Sequence, residues 1–328
     1  MRIQTLSKLA GLLATGLTAS LSAAPLVYIP LGAGNGVVEV DASTDKIINH
    51  FEGVENSHGL VATPDGEYLI AGSLYEDNAK VAKGDKLTSD LFLLHPAHGH
   101  VMQTIAVEGW SHHLAITPDG RYVLSTHPTK NQVSVVDIDS GLQIKTIPTG
   151  NAPYYVRVTS DGKRAYVSNS GSANIQEIDT QSWTVIRTID AGPSPEHMVL
   201  SKDEKILFVN NARKGTVSAI PLDKPDQRKI YEVGASLHGL DISDDGKRLF
   251  ISSKSEGKLV ALDYQSGKQQ VLPLSPKPYH LNTITGTGKV YISSRSTPSV
   301  WVVDQQSLQV LNTIDLPAGE GHQMAIVQ

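Results

Sequence analysis

A chain of 328 residues, 40% hydrophobic and 19% charged, has an ordinary globular composition and enough length to bury a sizeable core. Its net charge of −5 and 5% aromatic content leave no basic field or basic-aromatic stripe, which argues against nucleic-acid binding. The absence of cysteine excludes thiolate-held iron–sulfur clusters, thiolate zinc, blue copper and covalently attached haem. Any metal must therefore be held by His, carboxylate, Met or backbone.

The chain opens on Arg2 and Lys8, an apolar and small-residue run over Leu9–Leu21, and the small residues Ser22-Ala23-Ala24. This pattern predicts a signal peptide over 1–24 and a periplasmic or secreted mature protein over 25–328. Pro25 disfavours cleavage directly after Ala24. The run is too short for a comfortable membrane anchor, and no second apolar segment approaches spanning length, so no membrane span is expected after processing.

Beyond the signal, one turn repeats. Thr63-Pro64-Asp65-Gly66 is followed by Thr117-Pro118-Asp119-Gly120, Thr159-Ser160-Asp161-Gly162, Ser201-Lys202-Asp203-Glu204, Ser243-Asp244-Asp245-Gly246 and a decayed Thr285-Gly286-Thr287-Gly288. The Asp position falls at 65, 119, 161, 203, 245 and 287, a spacing of 54 and then of 42 four times. Each unit carries four strand signals; in the third these are Tyr155–Thr159, Arg164–Ser168, Ala173–Asp179 and Thr184–Ile189. Third strands such as Gln132–Asp137 and Leu259–Leu262 are apolar enough to be buried between neighbouring sheets. Four short strands per unit of this length predict an all-β, seven-bladed β-propeller. The last blade has one C-terminal strand, Gln323–Val327, and is completed by three N-terminal strands, Leu26–Ile29, Val37–Asp41 and Lys46–Phe51. Pairing of the two termini closes the ring and leaves no open edge. The 12 extra residues of the first spacing form a polar insertion around Tyr75–Ser89, read as a lid, a partner contact or an ornament.

Tyr166-Val167-Ser168-Asn169 and Leu207-Phe208-Val209-Asn210-Asn211 are similar to the signature of the YVTN-type seven-bladed propellers. That resemblance covers nearly the whole mature chain. It implies the fold and is almost silent on function.

The position seven residues before each Asp holds His58, His112, Tyr154, Glu196, His238 and His280, and His322 continues the series. His113 and His197 follow directly after two of these. With 12 His in the chain, about 0.3 would fall in seven random positions; five do, although duplicated blades are not independent. Each position opens an innermost strand, so a closed propeller gathers all of them at one mouth of the channel. Seven imidazoles, His58, His112, His113, His197, His238, His280 and His322, are more than one ion needs. They predict a multi-ion metal site, with copper the highest-affinity candidate and other divalent transition metals possible in the same donor set. The competing reading is a set of inherited histidines bonded to backbone carbonyls.

A histidine pair opening one inner strand, Ser111-His112-His113 before Asp119-Gly120-Arg121-Tyr122, with single histidines from most other blades, resembles the copper-cluster propellers of nitrous oxide reductase and thiocyanate dehydrogenase. The resemblance implies a copper cluster held by seven histidines. The chain departs from it in lacking the cysteine-containing copper domain and in placing Tyr154 in a ligand position, which argues against nitrous oxide reduction itself.

Glu196 is a candidate general acid/base or additional ligand, and otherwise a solvated rim carboxylate. Tyr154, with Tyr155, is a candidate substrate contact, and otherwise packing. Met198 and Met324 fall where other blades carry Leu and are read as core. The turn His95-Pro96-Ala97-His98-Gly99-His100 is read as a solvated turn remote from the ring, and His50 and His127 support no functional claim. No hydrolase elbow, zinc-protease helix, Walker loop or dinucleotide fingerprint is present.

These features lead to an exported copper oxidoreductase that acts on a small molecule at the channel mouth and exchanges electrons with an external redox protein. The alternatives are a copper-binding or delivery protein without turnover, a metal-free YVTN-type scaffold, and a lactonase-like hydrolase that uses Glu196 and the histidines around a different metal.

Overall fold

The computed structural model describes residues 24–75 and 88–328. The predicted signal peptide therefore lies, except for Ala24, outside the described residues, as does most of the insertion expected around Tyr75–Ser89. Among the described residues, 28 strands form seven four-stranded antiparallel sheets. Blades one to six span Ser57–Glu108, Leu114–Pro148, Pro153–Asp190, Pro195–Glu232, Leu237–Pro273 and Pro278–Asp315. Blade seven combines Leu26–Pro30, Gly36–Asp41 and Lys46–Glu52 with the C-terminal Ala325–Val327, closed by Leu26↔Val327, Val27↔Ile326 and Tyr28↔Ala325. The expected seven-bladed architecture and its mode of closure are thus both present. No described helix is long and apolar enough to cross a membrane.

The repeating turn recurs because its side chains build it. The Thr or Ser hydroxyl donates to the Asp carboxylate at 2.5 Å in Thr63–Asp65, 2.7 Å in Thr159–Asp161 and 2.6 Å in Ser243–Asp245. The same hydroxyl accepts a backbone N–H five residues on, as from Tyr68, Arg164 and Arg248 at 3.0, 3.1 and 3.0 Å. These local bonds satisfy the hairpin and fix its residue types.

In blade six, where the turn has lost its Asp, the structure shifts the expected register by one residue. Ser243 bonds across its turn to Arg248, and the matching pair in blade six is Ile284 with Lys289. The offset between blades five and six is therefore 41 residues, and Tyr279 rather than His280 is the true counterpart of His238. Inter-blade bonds follow the same phase. Thr126, Ser168, Asn210 and Ser252 donate to the carbonyls of Tyr154, Glu196, His238 and Tyr279 in the next blade.

Each of these positions lies in a register break. The ladder skips between Pro153 and Val156, Pro195 and Met198, Leu237 and Leu240, and Pro278 and Leu281. A bulge releases two consecutive residues from strict alternation, so both members of Tyr154-Tyr155, Glu196-His197 and Tyr279-His280 face the centre of the ring. In blades one and five the second member is a glycine. A Cβ on Gly59 would stand 2.8 Å from the His112 carbonyl, and one on Gly239 2.7 Å from that of Tyr279. The neighbouring inner strand passes too close for any side chain there.

The core is divided among seven apolar seams, each between two adjacent blades. Met198 and Met324 lie in two of them, as expected. Phe208 is fully buried in the seam between blades four and five. Phe208→Ala should cost about 3–5 kcal/mol in urea unfolding monitored by circular dichroism, whereas Ile186→Ala, on an outer strand at 50% exposure, should stay within about 0.5 kcal/mol.

Candidate metal centre

All seven predicted histidines converge. His58 packs its ring 4.3 Å from His112 and 4.3 Å from His322; His113 lies 4.9 Å from His197; His238 lies 4.6 Å from His280 (ring centroids). Ligand nitrogens lie within 4.8 Å of one another in three triads: His58, His280 and His322; His58, His112 and His113; and His113, His197 and His280. The shared members join these six histidines into one cluster that can hold metal ions, and His238, which belongs to none of the triads, packs against it beside His197 and His280. The cluster differs from the expected rim ring in depth. Six of the seven histidines are at most 3% exposed and only His112 is partly accessible, because the bulges point the rings into the channel.

Backbone carbonyls set the tautomers. His58 Nδ1 faces the His112 carbonyl at 2.9 Å, His113 Nδ1 faces that of Tyr154 at 2.9 Å, and His197 Nδ1 faces that of His238. A carbonyl oxygen only accepts, so each Nδ1 carries the proton and each Nε2 keeps its lone pair. His113 Nε2 and His197 Nε2 then stand 3.1 Å apart with no proton between them. Two nitrogens bound to one ion at ~2.0–2.1 Å are separated by about 2.9–3.4 Å, so the pair has the spacing of a coordination edge. His238 Nε2 and His280 Nε2 are similarly placed at 3.2 Å. His322 Nδ1 is buried without a partner.

Burial holds the imidazoles neutral. It lowers His112 to about 4 and His197 to about 3, and drives His58, His113, His238 and His280 well below the usual histidine range. His322 is also lowered by burial, against the pull of Glu320.

A polar layer covers the cluster. Tyr154 packs 4.4 Å from the His112 ring and 5.9 Å from that of His197, so its side chain faces the channel. Glu196 Oε2 lies 3.5 Å from His238 Nδ1, and its carboxylate accepts from the Tyr154 hydroxyl. Burial raises Glu196 to about 7, opposed by Lys254 and Arg213. Tyr155 packs 4.7 Å from His113 and 4.9 Å from His197, on the inner side of the cluster.

Four further residues of this layer have no counterpart in the repeat reading. Tyr279 stacks on His238 at 4.0 Å. Lys254 Nζ lies 3.4 Å from His238 Nδ1, and Arg295 covers the Tyr279 ring at 5.3 Å. Arg295 also pairs with Glu320, whose Oε1 lies 3.4 Å from His322 Nε2. Tyr279 becomes visible in the sequence once blade six is indexed by 41 residues. Lys254 and Arg295 follow the second strands of blades five and six and share no motif with the histidines. His127 is buried and faces the Trp110 carbonyl at 2.8 Å, outside the cluster. His95, His98 and His100 stack along their turn and contribute to none of the triads.

The family model for "Lactonase, 7-bladed beta-propeller" matches residues 142–288. No curated protein matches the chain in sequence. Among solved structures, the chain is similar to hydrazine synthase of Kuenenia stuttgartiensis (TM-score 0.69, 21% identity, 80% of this chain and 87% of that one). It is similar to the periplasmic gluconolactonase of Pseudomonas aeruginosa (TM-score 0.72, 15% identity, 93% and 99%) and to a functionally unknown protein of Desulfotomaculum acetoxidans (TM-score 0.69, 13% identity, 91% and 99%). At these identities the likeness establishes the propeller fold.

The cluster histidines titrate below their unfolded value near 6.5, so on acidification the unfolded chain takes up protons before the folded one. Stability of the metal-free protein should be complete above about pH 6.5 and fall progressively as the pH approaches 4. Melting temperatures between pH 7 and pH 4 should show this fall, and His112→Gln should flatten it.

Proposed function

We propose that this chain is an exported multi-ion metal protein, with copper the preferred metal, and that it acts as an oxidoreductase on a small molecule. The observation that carries the reading is the facing pair of unprotonated nitrogens on His113 and His197, 3.1 Å apart in a site without room for charged imidazoles. A cation between them removes the lone-pair repulsion. Seven nitrogen donors without thiolate exceed the needs of one ion and suit copper best among divalent first-row metals. Backbone carbonyls bonded to Nδ1 act as the outer partners that orient metal-ligating histidines. The signal-like start of the chain supports a periplasmic or secreted location.

The bound metal would supply Lewis-acid polarisation or one-electron exchange with an external redox protein. The chain's own residues provide the remainder. Glu196, poised near neutrality and hydrogen-bonded to Tyr154, can take or deliver a proton beside the cluster. Lys254 and Arg295 place positive charge over Tyr279, where a small polar substrate would be oriented. The lactonase match over residues 142–288 favours a second reading, metal-assisted hydrolysis with the same Glu196 as proton carrier. The burial of the cluster disfavours simple copper delivery, which needs exchangeable ligands.

Protein purified from copper-supplied cells should contain two or more copper ions per chain. His113→Ala and His197→Ala should each lose metal. Glu196→Gln should keep the metal, lose on the order of a hundredfold in turnover, and lose the pH dependence near 7. A chain that binds no transition metal under these conditions would remove both metal readings and leave the YVTN-type scaffold.

A further inference from the structure

Beneath the histidines the inner strands continue into the other half of the channel. The next equivalent positions are Arg157, Asp241 and Asn282 in blades three, five and six, and Val61, Ala115 and Val199 in blades one, two and four. These residues line two adjoining cavities of about 450 and 220 Å³, which share Arg157 and Asn282. One side of this space is polar and the other apolar, and no part of the metal reading uses it.

The distribution of hydrogen-bonding capacity identifies what fits. The carboxylates at this end are already engaged by backbone. Asp241 accepts from Thr283 N–H at 2.8 Å and from its neighbour Ile242 N–H at 2.9 Å, and Glu204 accepts from Ser160 N–H at 2.8 Å. The donors have capacity to spare. Arg157 hydrogen-bonds the Tyr155 hydroxyl and, with Lys202, lies close enough to Asp241 to oppose the upward push of burial on its carboxyl, but neither cation forms a salt bridge among the described residues. The Thr283 hydroxyl, on a residue 5% exposed, has no partner. A buried hydroxyl without a partner is costly and marks a position where a ligand oxygen is expected.

We propose that the lower channel binds a small oxyanion, a carboxylate or a phosphate, with its charged oxygens on the Arg157 guanidinium and the Thr283 hydroxyl. Arg157 presents planar paired donors that match such a group. Lys202 adds a second positive charge at the cavity wall. The larger cavity accommodates an organic body against Val199, Ile242 and Met324.

The proposal is tested on the full mature chain, metal-loaded and metal-stripped, by thermal shift and calorimetry. Succinate and inorganic phosphate are the probes, with sodium chloride at matched ionic strength as control. One probe should raise the melting temperature in a saturable manner, and the better probe identifies the group as carboxylate or phosphate. Arg157→Gln should weaken that binding at least tenfold and the exposed Lys202→Gln severalfold. His113→Ala, which empties the upper site, should leave it unchanged. The proposal is overturned if neither probe exceeds chloride, or if Arg157→Gln and Lys202→Gln both bind as the wild type does.

Discussion

The structure depends on carbonyl oxygens that the inner strands turn toward the preceding blade. Those of Tyr154, Glu196, His238 and Tyr279 each accept a side chain from that blade's second strand; the Tyr154 and His238 carbonyls also accept a histidine Nδ1–H, as does the His112 carbonyl. One set of acceptors therefore joins the blades and fixes the imidazole tautomers. A propeller has no single core to enforce its shape, because its apolar residues are distributed among seven seams. Polar ties near the axis, such as the Gln323 amide bonded to both the N–H and the C=O of Leu114, hold the blades at the spacing the cluster requires.

This constraint places seven neutral imidazoles in a volume from which water is largely excluded. In His58, His113 and His197 the carbonyl-bonded Nδ1 carries the proton, so their Nε2 lone pairs cannot satisfy one another. Such an arrangement is costly without a cation and favourable with one. The nearby carboxylates of Glu196 and Glu320 are close enough to balance a bound positive charge, yet each is engaged elsewhere, with Tyr154 and with Arg295.

Much of this was readable in the sequence because it is encoded locally. The Thr/Ser-x-Asp turn carries its own hydrogen bonds, so it survives in five copies and reveals the period, the strands and the blade count. The phase was lost where that turn decayed. Without Asp in Thr285-Gly286-Thr287-Gly288 the turn no longer separates an offset of 42 from one of 41, and the true phase is carried instead by Phe250-Ile251-Ser252-Ser253 and Tyr291-Ile292-Ser293-Ser294, which lie 41 residues apart. Depth was also hidden, because bulges at the paired positions change the direction of side chains without a compositional mark. Lys254 and Arg295 reach the site from the ends of the second strands, 16 residues after His238 and Tyr279, and have no residue type in common with the histidine positions. Tyr154 and Glu196, the two positions that interrupt the histidine series, do face the channel.

The central claim is that a metal ion lies between His113 Nε2 and His197 Nε2. Anomalous diffraction at the copper edge, on crystals of protein matured in copper-supplied cells, tests it most directly. The account predicts a peak within about 2.0–2.2 Å of both nitrogens, with at least one further peak bounded by His58 and its neighbours. Full density for all seven rings with no anomalous peak at this edge or at those of zinc, iron and nickel would contradict it.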